Sequence, residues 1–317
     1  MNSRPHFLLL LLLSFSLLTP GCGEGQKEFE TPSTCTQELQ VCDAQVFLTV
    51  DQFEFLRRNG AHVLDVRPYE VFTQGHIPGS YWAQWQDFAD TENRNGIIWE
   101  DEEILQNAAR SFGINTDDRI IIVGAGDGSG GDARAGRLFW TLEYIGHDNV
   151  YLVDGGFEAW LNAGYDGLTA GTPSPALGNF EVNIRPERRA TIEEVESAIL
   201  DGSIRLVDTR TVEEWMGEES ARRNNPRGGY IPDAVHYHWE DALVDGKLRP
   251  REEIRAELEA LGITPGTLTI PYCQSGVRSG YFYAILKWLD YPEPKNYDGS
   301  WWEWSRTENE LAVPEND

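Results

Sequence analysis

Cys273 stands in the segment Tyr272-Cys273-Gln274-Ser275-Gly276-Val277-Arg278-Ser279, between an apolar run and an amphipathic one. Thr267-Leu268-Thr269-Ile270 reads as a buried strand. Tyr281, Ile285, Trp288 and Leu289 fall at helical spacing, so a helix is predicted after the loop. A thiol on such a turn faces the free N–H groups and the positive dipole end of the helix, and both favour the thiolate. Arg278, five residues on, adds a fixed positive charge able to close the loop over the sulfur. Lowering a thiol pKa by one requires about 1.4 kcal/mol of preference for the anion. Free cysteine is also a common inert core residue. The strand–loop–helix setting, with an arginine in reach, selects the reactive reading.

The elements that position this loop belong to a duplicated chain. Val63-Leu64-Asp65-Val66-Arg67 matches Leu206-Val207-Asp208-Thr209-Arg210, and Glu70 matches Glu213. Gly75-His76-Ile77-Pro78-Gly79 matches Gly229-Tyr230-Ile231-Pro232-Asp233, and Asp154-Gly155 with Trp160 matches Asp298-Gly299 with Trp304. The offset is 143 at the first marker, 154 at the second and 144 at the third, so the second copy carries extra residues around Arg222 to Gly228. A period this long means tandem domains rather than a solenoid. Leu64 to Val66 and Ile120 to Val123 read as strands, and Asp101 to Phe112 and Gly136 to Ile145 as helices. That alternation predicts an α/β fold, each copy a mostly parallel sheet flanked by helices. The expected layout is a leader over 1–22, a polar segment over 23–43, a first domain over 44–165, a linker over 166–189, a second domain over 190–309 and a loose acidic tail over 310–317.

The 317 residues suffice for two domains, each with its own core. A net charge of -26 excludes nucleic acid as a partner and argues against a basic membrane-surface patch. Phe7 to Leu18 is too short an apolar stretch to span a bilayer comfortably and reads as a signal peptide, which places the protein outside the cytoplasm. The Leu-Thr-Pro-Gly-Cys ending resembles a bacterial lipobox, with Cys22 as the lipidated residue. Cys35 and Cys42 are expected to close a small loop, worth about 2–3 kcal/mol by chain entropy, with two free thiols as the alternative. Cys273 is left without an obvious partner.

Taken together, these residues give the chain its resemblance to tandem rhodanese-type sulfurtransferases. The carriers are the twice-repeated Asp-x-Arg and Gly-His-Ile-Pro-Gly markers, the Cys273…Arg278 loop and Asn296-Tyr297-Asp298-Gly299-Ser300-Trp301. The resemblance implies two rhodanese-like domains with catalysis confined to the second. Counting back from Asp154 puts Ser129 where the nucleophile would stand in the first copy, and Arg134 at the position of Arg278. Serine cannot form a persulfide, so the first copy is expected to be silent. Its glycine-rich loop lacks a Gly-Lys-Ser/Thr ending, and Asp127 and Asp132 would repel a phosphate.

The implied chemistry is double displacement through a Cys273 persulfide, from a small anionic sulfur donor to a thiol or cyanide acceptor, with no cofactor. Gln274, Ser275, Gly276, Val277 and Ser279 are expected to cradle the sulfur with their N–H groups, and Arg278 to close the cradle. Arg210 sits at a strand end, as an anion contact or in an ion pair with an acidic neighbour such as Glu213; Trp301 is expected to wall the pocket. No metal site is predicted: His236 and His238 share a strand face without a third ligand at a useful spacing.

Four departures from the family pattern bear on the donor. Pro271 precedes the loop where an aliphatic residue is usual, Tyr230 replaces a histidine, and Glu214 stands where some active relatives carry arginine. Gln274-Ser275 matches neither the basic pair that accompanies thiosulfate use nor the Gly-Ser that accompanies mercaptopyruvate use. The Arg278-Ser279 ending and the Tyr-Asp-Gly-Ser-Trp segment favour thiosulfate, with 3-mercaptopyruvate as the alternative. A cysteine phosphatase or arsenate reductase would need one more residue between cysteine and arginine, and Ser279 occupies that arginine's place. A non-catalytic binding module is the remaining rival.

Overall fold

A computed structural model of the chain describes residues 45–128, 130–165 and 167–314. The predicted leader, Cys22, Cys35, Cys42 and Ser129 lie outside these residues.

The first copy begins with β1 (Phe47–Leu48), α1 (Val50–Arg58), β2 (His62–Asp65), α2 (Tyr69–Gln74) and β3 (Ser80–Trp82). A short hairpin comes next, β4 (Ala89–Asp90) and β5 (Ile97–Ile98), then α3 (Glu102–Ser111), β6 (Ile120–Val123), α4 (Gly130–Tyr144), β7 (Val150–Val153) and α5 (Gly156–Asn162). Its sheet is parallel in the order β1-β7-β6-β2-β3. The unbroken apolar run Ile120-Ile121-Ile122-Val123 is buried on both faces, as a central parallel strand requires.

The second copy contains α6 (Ile192–Asp201), β8 (Ile204–Asp208), α7 (Val212–Trp215), β9 (Val235–His236), a hairpin of β10 (Leu243–Val244) and β11 (Lys247–Leu248), α8 (Arg251–Ala260), β12 (Leu268–Tyr272), α9 (Val277–Trp288) and α10 (Ser300–Trp304). Its sheet is parallel in the order β12-β8-β9. Pro271 sits inside β12 without distorting the cysteine loop. Its carbonyl accepts from Tyr297 N–H on the side away from β8, so the missing donor faces that side too. Tyr272 O still accepts from Thr209 N–H at 3.0 Å. Tyr230 does the work of its counterpart by stacking on Trp215, with ring centroids 3.5 Å apart, as His76 stacks on Phe72 at 4.1 Å.

Two expectations about the chain's organisation are overturned. The domains do not each keep a separate core: one apolar cluster runs from Leu64 and Ile120 through Leu138 and Leu142 to Phe282, Ile285 and Leu289. Smaller clusters on the far faces belong to one copy each. Nor is the described part of the tail, 310–314, loose, and the linker is anchored to the first copy. Phe180 is buried, Thr169 bridges His76, and Ala312 bridges Tyr230.

The shared core depends on how closely α4 and α9 approach. A Cβ on Gly136 would stand 2.2 Å from the Tyr281 Cα, and one on Gly280 would stand 2.9 Å from the Arg137 Cα. Only glycine lets the helix backbones meet at this distance. Around this contact the copies exchange equivalent bonds: Asp298 Oδ2 accepts from Ile98 N–H at 2.8 Å, and Asp154 Oδ1 accepts from Leu248 N–H at 2.9 Å. Gly136→Ala gains about 1 kcal/mol of helix propensity but forces the helices apart, at a cost of about 3 kcal/mol. The expected outcome is a net loss of about 2 kcal/mol, read from the urea midpoint; an unchanged midpoint would show that the contact yields freely.

Candidate active site

Cys273 is the first residue after β12, and Gly276, at φ 73°, turns the chain into α9. A side chain at Gly276 is excluded, because its Cβ would fall 2.6 Å from the Asp298 Cα. The loop is held from behind by the segment that leads into α10. Ser300 Oγ accepts from the N–H groups of Cys273 at 3.1 Å and Gly276 at 3.0 Å, while its own proton goes to Tyr297 O at 2.7 Å. Asn296 Nδ2 donates to Gly276 O at 3.1 Å, and Asn296 Oδ1 accepts from Ser279 Oγ at 2.7 Å. The N–H groups of Trp301 and Trp302 donate to the carbonyls of Cys273 and Gln274.

Cys273 is 1 % exposed. Burial by itself raises a thiol pKa; the Arg278 charge and the N–H groups of Ser279 and Ser275 outweigh it and hold Cys273 below the ordinary thiol value. Ser279 Oγ lies 3.6 Å from Sγ. The ring of donors is narrower than the sequence suggests, because Gly276 N–H is bound to Ser300 Oγ instead.

Arg278 does not float free over the sulfur. Its guanidinium donates to both oxygens of Glu214, at 2.6 Å and 2.9 Å. Glu214 is buried at the start of α7, where it completes a capping box with Thr211. Although burial opposes ionisation, the Arg278 hydrogen bonds and charge hold its carboxyl down at about 2. This acid does not face the donor, as its replacement of an arginine suggested; it fixes the cation beside the thiolate.

Cys273, Gln274, Ser275, Val277 and Arg278 line a cavity of about 450 Å³ whose other wall comes from the first copy through Trp85, Gln86, Ala133 and Arg134. Gly276 and Ser279 stand behind it. Arg210 and Trp301 are placed elsewhere. Arg210 forms a two-pronged pair with Asp208, not Glu213, and donates to Gly229 O at 2.7 Å. Arg67 repeats this arrangement with Asp65 and Gly75 O. Both are sheet-end clamps, inaccessible to a ligand. Trp301 is 1 % exposed, lies under Arg210 and donates from its indole to Arg227 O. It is a core residue. His236 is bound to Arg210 O. Among the described residues no cluster of His, Cys, Asp and Glu has a metal-holding arrangement.

In the first copy, the equivalent loop is filled from within. Asp132 accepts from Gly126 N–H at 2.8 Å and Gly128 N–H at 2.9 Å, and burial pushes its carboxyl up to about 6. A loop that already encloses a carboxylate leaves no seat for an outside anion.

Several contributors were not assigned from sequence. Ser300 and Asn296 lay in a segment read only as a family marker. Arg137 is fully buried and reaches Gly96 O at 2.7 Å and Ser275 O at 3.3 Å, tying the cysteine loop to the other copy. An arginine inside an apolar helical run was the available signal.

The pattern of the Rhodanese-like domain family matches residues 49–163 and 191–307. The chain is 36% identical over 256 residues to a protein of Thermus thermophilus named sulfur carrier protein TtuD, covering 77% of this chain and 86% of that one. It is 35% identical over 266 residues to a thiosulfate sulfurtransferase of Pseudomonas aeruginosa, covering 81% and 93%. The crystal structure of SseA from Escherichia coli, a 3-mercaptopyruvate sulfotransferase described as having the rhodanese fold, superposes with a TM-score of 0.71 at 23% identity over 81% of this chain and 99% of that one.

Removing the charge of Arg278 while keeping hydrogen-bonding capacity should disfavour the thiolate. Arg278→Gln is expected to move the midpoint of Cys273 alkylation by iodoacetamide to higher pH. Alkylation at pH 7 should slow by roughly tenfold for each pH unit that the midpoint moves. A midpoint that stays put would mean that the loop amides alone set the thiol.

Proposed function

The chain belongs to the rhodanese-like family and is a sulfurtransferase, and from that premise we propose that Cys273 is its sulfur carrier and thiosulfate its donor. The observation that carries the proposal is the Cys273 sulfur, set at the floor of a cavity beside an arginine and amides that favour its anion. The thiolate attacks the outer sulfur of thiosulfate. The S–S bond to the sulfonate breaks with its electron pair, sulfite leaves, and Cys273 becomes a persulfide anion. A thiolate or cyanide then attacks the terminal sulfur, and the thiolate returns with charge conserved at both steps. Arg278 and the Ser275 and Ser279 N–H groups face negative charge before and after transfer, so they need no rearrangement between half-reactions. The first domain acts as a wall of the site and carries no sulfur. The names of several relatives favour thiosulfate over 3-mercaptopyruvate, while the arginines of the cavity suit the anionic end of either.

Incubation with thiosulfate is expected to add one sulfur atom by intact mass. Cyanide should remove it, and Cys273→Ser should never acquire it. Sulfur uptake only from mercaptopyruvate would replace the donor, and no uptake from any sulfane donor would leave a binding module.

The same proposal places the protein outside the cytoplasm, anchored through Cys22, on the strength of the apolar stretch Phe7 to Leu18. Labelled fatty acid should enter the protein in a bacterial host and be lost in Cys22→Ser; equal labelling of both would remove the anchor.

A further inference from the structure

Three arginines in and around the cysteine loop are already committed. Arg278 is held by both oxygens of Glu214, Arg210 by Asp208, and Arg137 by Gly96 O, Ser275 O and Asp298. Two other guanidiniums line the cavity with Cys273, and neither is spent in this way. Arg134, at the start of α4, makes no hydrogen bond or ion pair to a described residue, although its charge reaches the buried Asp132 carboxyl. Its acidic neighbour Asp132 uses its oxygens on Gly126 and Gly128 N–H. Arg223 approaches Glu214 only through Nε at 3.4 Å, and its side chain is 62% exposed. The backbone there is left-handed, at φ 47°, inside the extra stretch that lengthens the second copy. The one carboxylate in the lining is Glu240, so three arginines face it in a chain of net charge -26. The Trp239 indole N–H, buried and without a partner among the described residues, belongs to the same lining.

We propose that Arg134 of the silent domain and Arg223 of the second domain's insertion together form a cross-domain clamp for the anionic end of the sulfur donor. The clamp rests on the sulfur-carrier reading above and supplies a donor site that reading lacked, since Glu214 stands where some active relatives carry arginine and holds Arg278 beside the thiolate. It leaves Arg278 to the sulfur and gives the donor's sulfonate or carboxylate its own cations. The first domain thereby contributes to specificity although it carries out no chemistry. Guanidinium suits this task because its planar fork offers two parallel donors to such an oxyanion.

Arg134→Gln and Arg223→Gln are each expected to raise the thiosulfate KM about tenfold, the loss of one charge-assisted contact, with kcat within about twofold. A second readout needs no sulfur transfer: iodoacetate is anionic and iodoacetamide neutral, and both alkylate the same thiol. Arg134→Gln should slow iodoacetate several-fold more than iodoacetamide, and Arg134→Lys should restore much of the ratio. An unchanged KM and ratio in a protein that transfers sulfur overturns the clamp alone. Equal slowing of both reagents also overturns it, because it marks a loop disturbed rather than a charge removed. A fallen ratio in a protein that takes sulfur from no donor would sink the carrier reading and cut the clamp back to an anion site beside Cys273 that holds no sulfur donor.

Discussion

The close crossing of α4 on α9 is the constraint on which the rest depends. Gly136 and Gly280 bring two helix backbones together where any side chain would collide. Arg137, one residue on from Gly136, is thereby pressed against the cysteine loop and reaches Ser275 O. The same crossing sets the first domain's Ala133 and Arg134 opposite Cys273 across a single cavity. A helix pair spaced by ordinary side chains, with axes about 8–10 Å apart, would leave the loop open to water and the two copies merely tethered.

The sulfur in that cavity is governed by opposed effects. Burial works against its charge, while Arg278 and two loop amides work for it, and the second group prevails. Glu214 sharpens the arrangement. Its carboxylate removes part of the cation's reach, yet a two-pronged bond fixes where the guanidinium sits, and a fixed charge beside a reacting atom needs no reorganisation at the moment of transfer. The same economy appears at the sheet ends, where Asp65–Arg67 and Asp208–Arg210 each tie a strand terminus to the carbonyl of a later turn. These buried pairs fix geometry; net stability is not what such pairs reliably add.

The two copies show how one fold can host two electrostatic outcomes. In the second copy the turn before the long helix begins with a thiol favoured as an anion. In the first, Asp132 folds back and takes the Gly126 and Gly128 N–H groups for itself. One carboxylate thus closes a site that the backbone alone would leave available.

Much of this was legible in the chain. The duplication, the alternation of apolar and helical stretches and the Cys273 loop are local patterns, and local patterns set the strands, helices and turn directly. Sequence therefore determined the α/β class, the two tandem rhodanese-like copies and the cysteine loop on which the proposed chemistry rests. It left Arg210 between an anion contact and an ion pair and named Glu213 where Asp208 is the partner, and it set Trp301 in the pocket wall and Glu214 against the donor, because a charge or a ring reads the same whether it faces a ligand or a buried partner. It also missed the shared core, the bridge from Ala312 to Tyr230 and the roles of Ser300, Asn296 and Arg137. Those are contacts between segments far apart in sequence, and no period or spacing encodes them. Which carboxylate each arginine meets was decided only by the tertiary structure, since pairing depends on distances that folding creates.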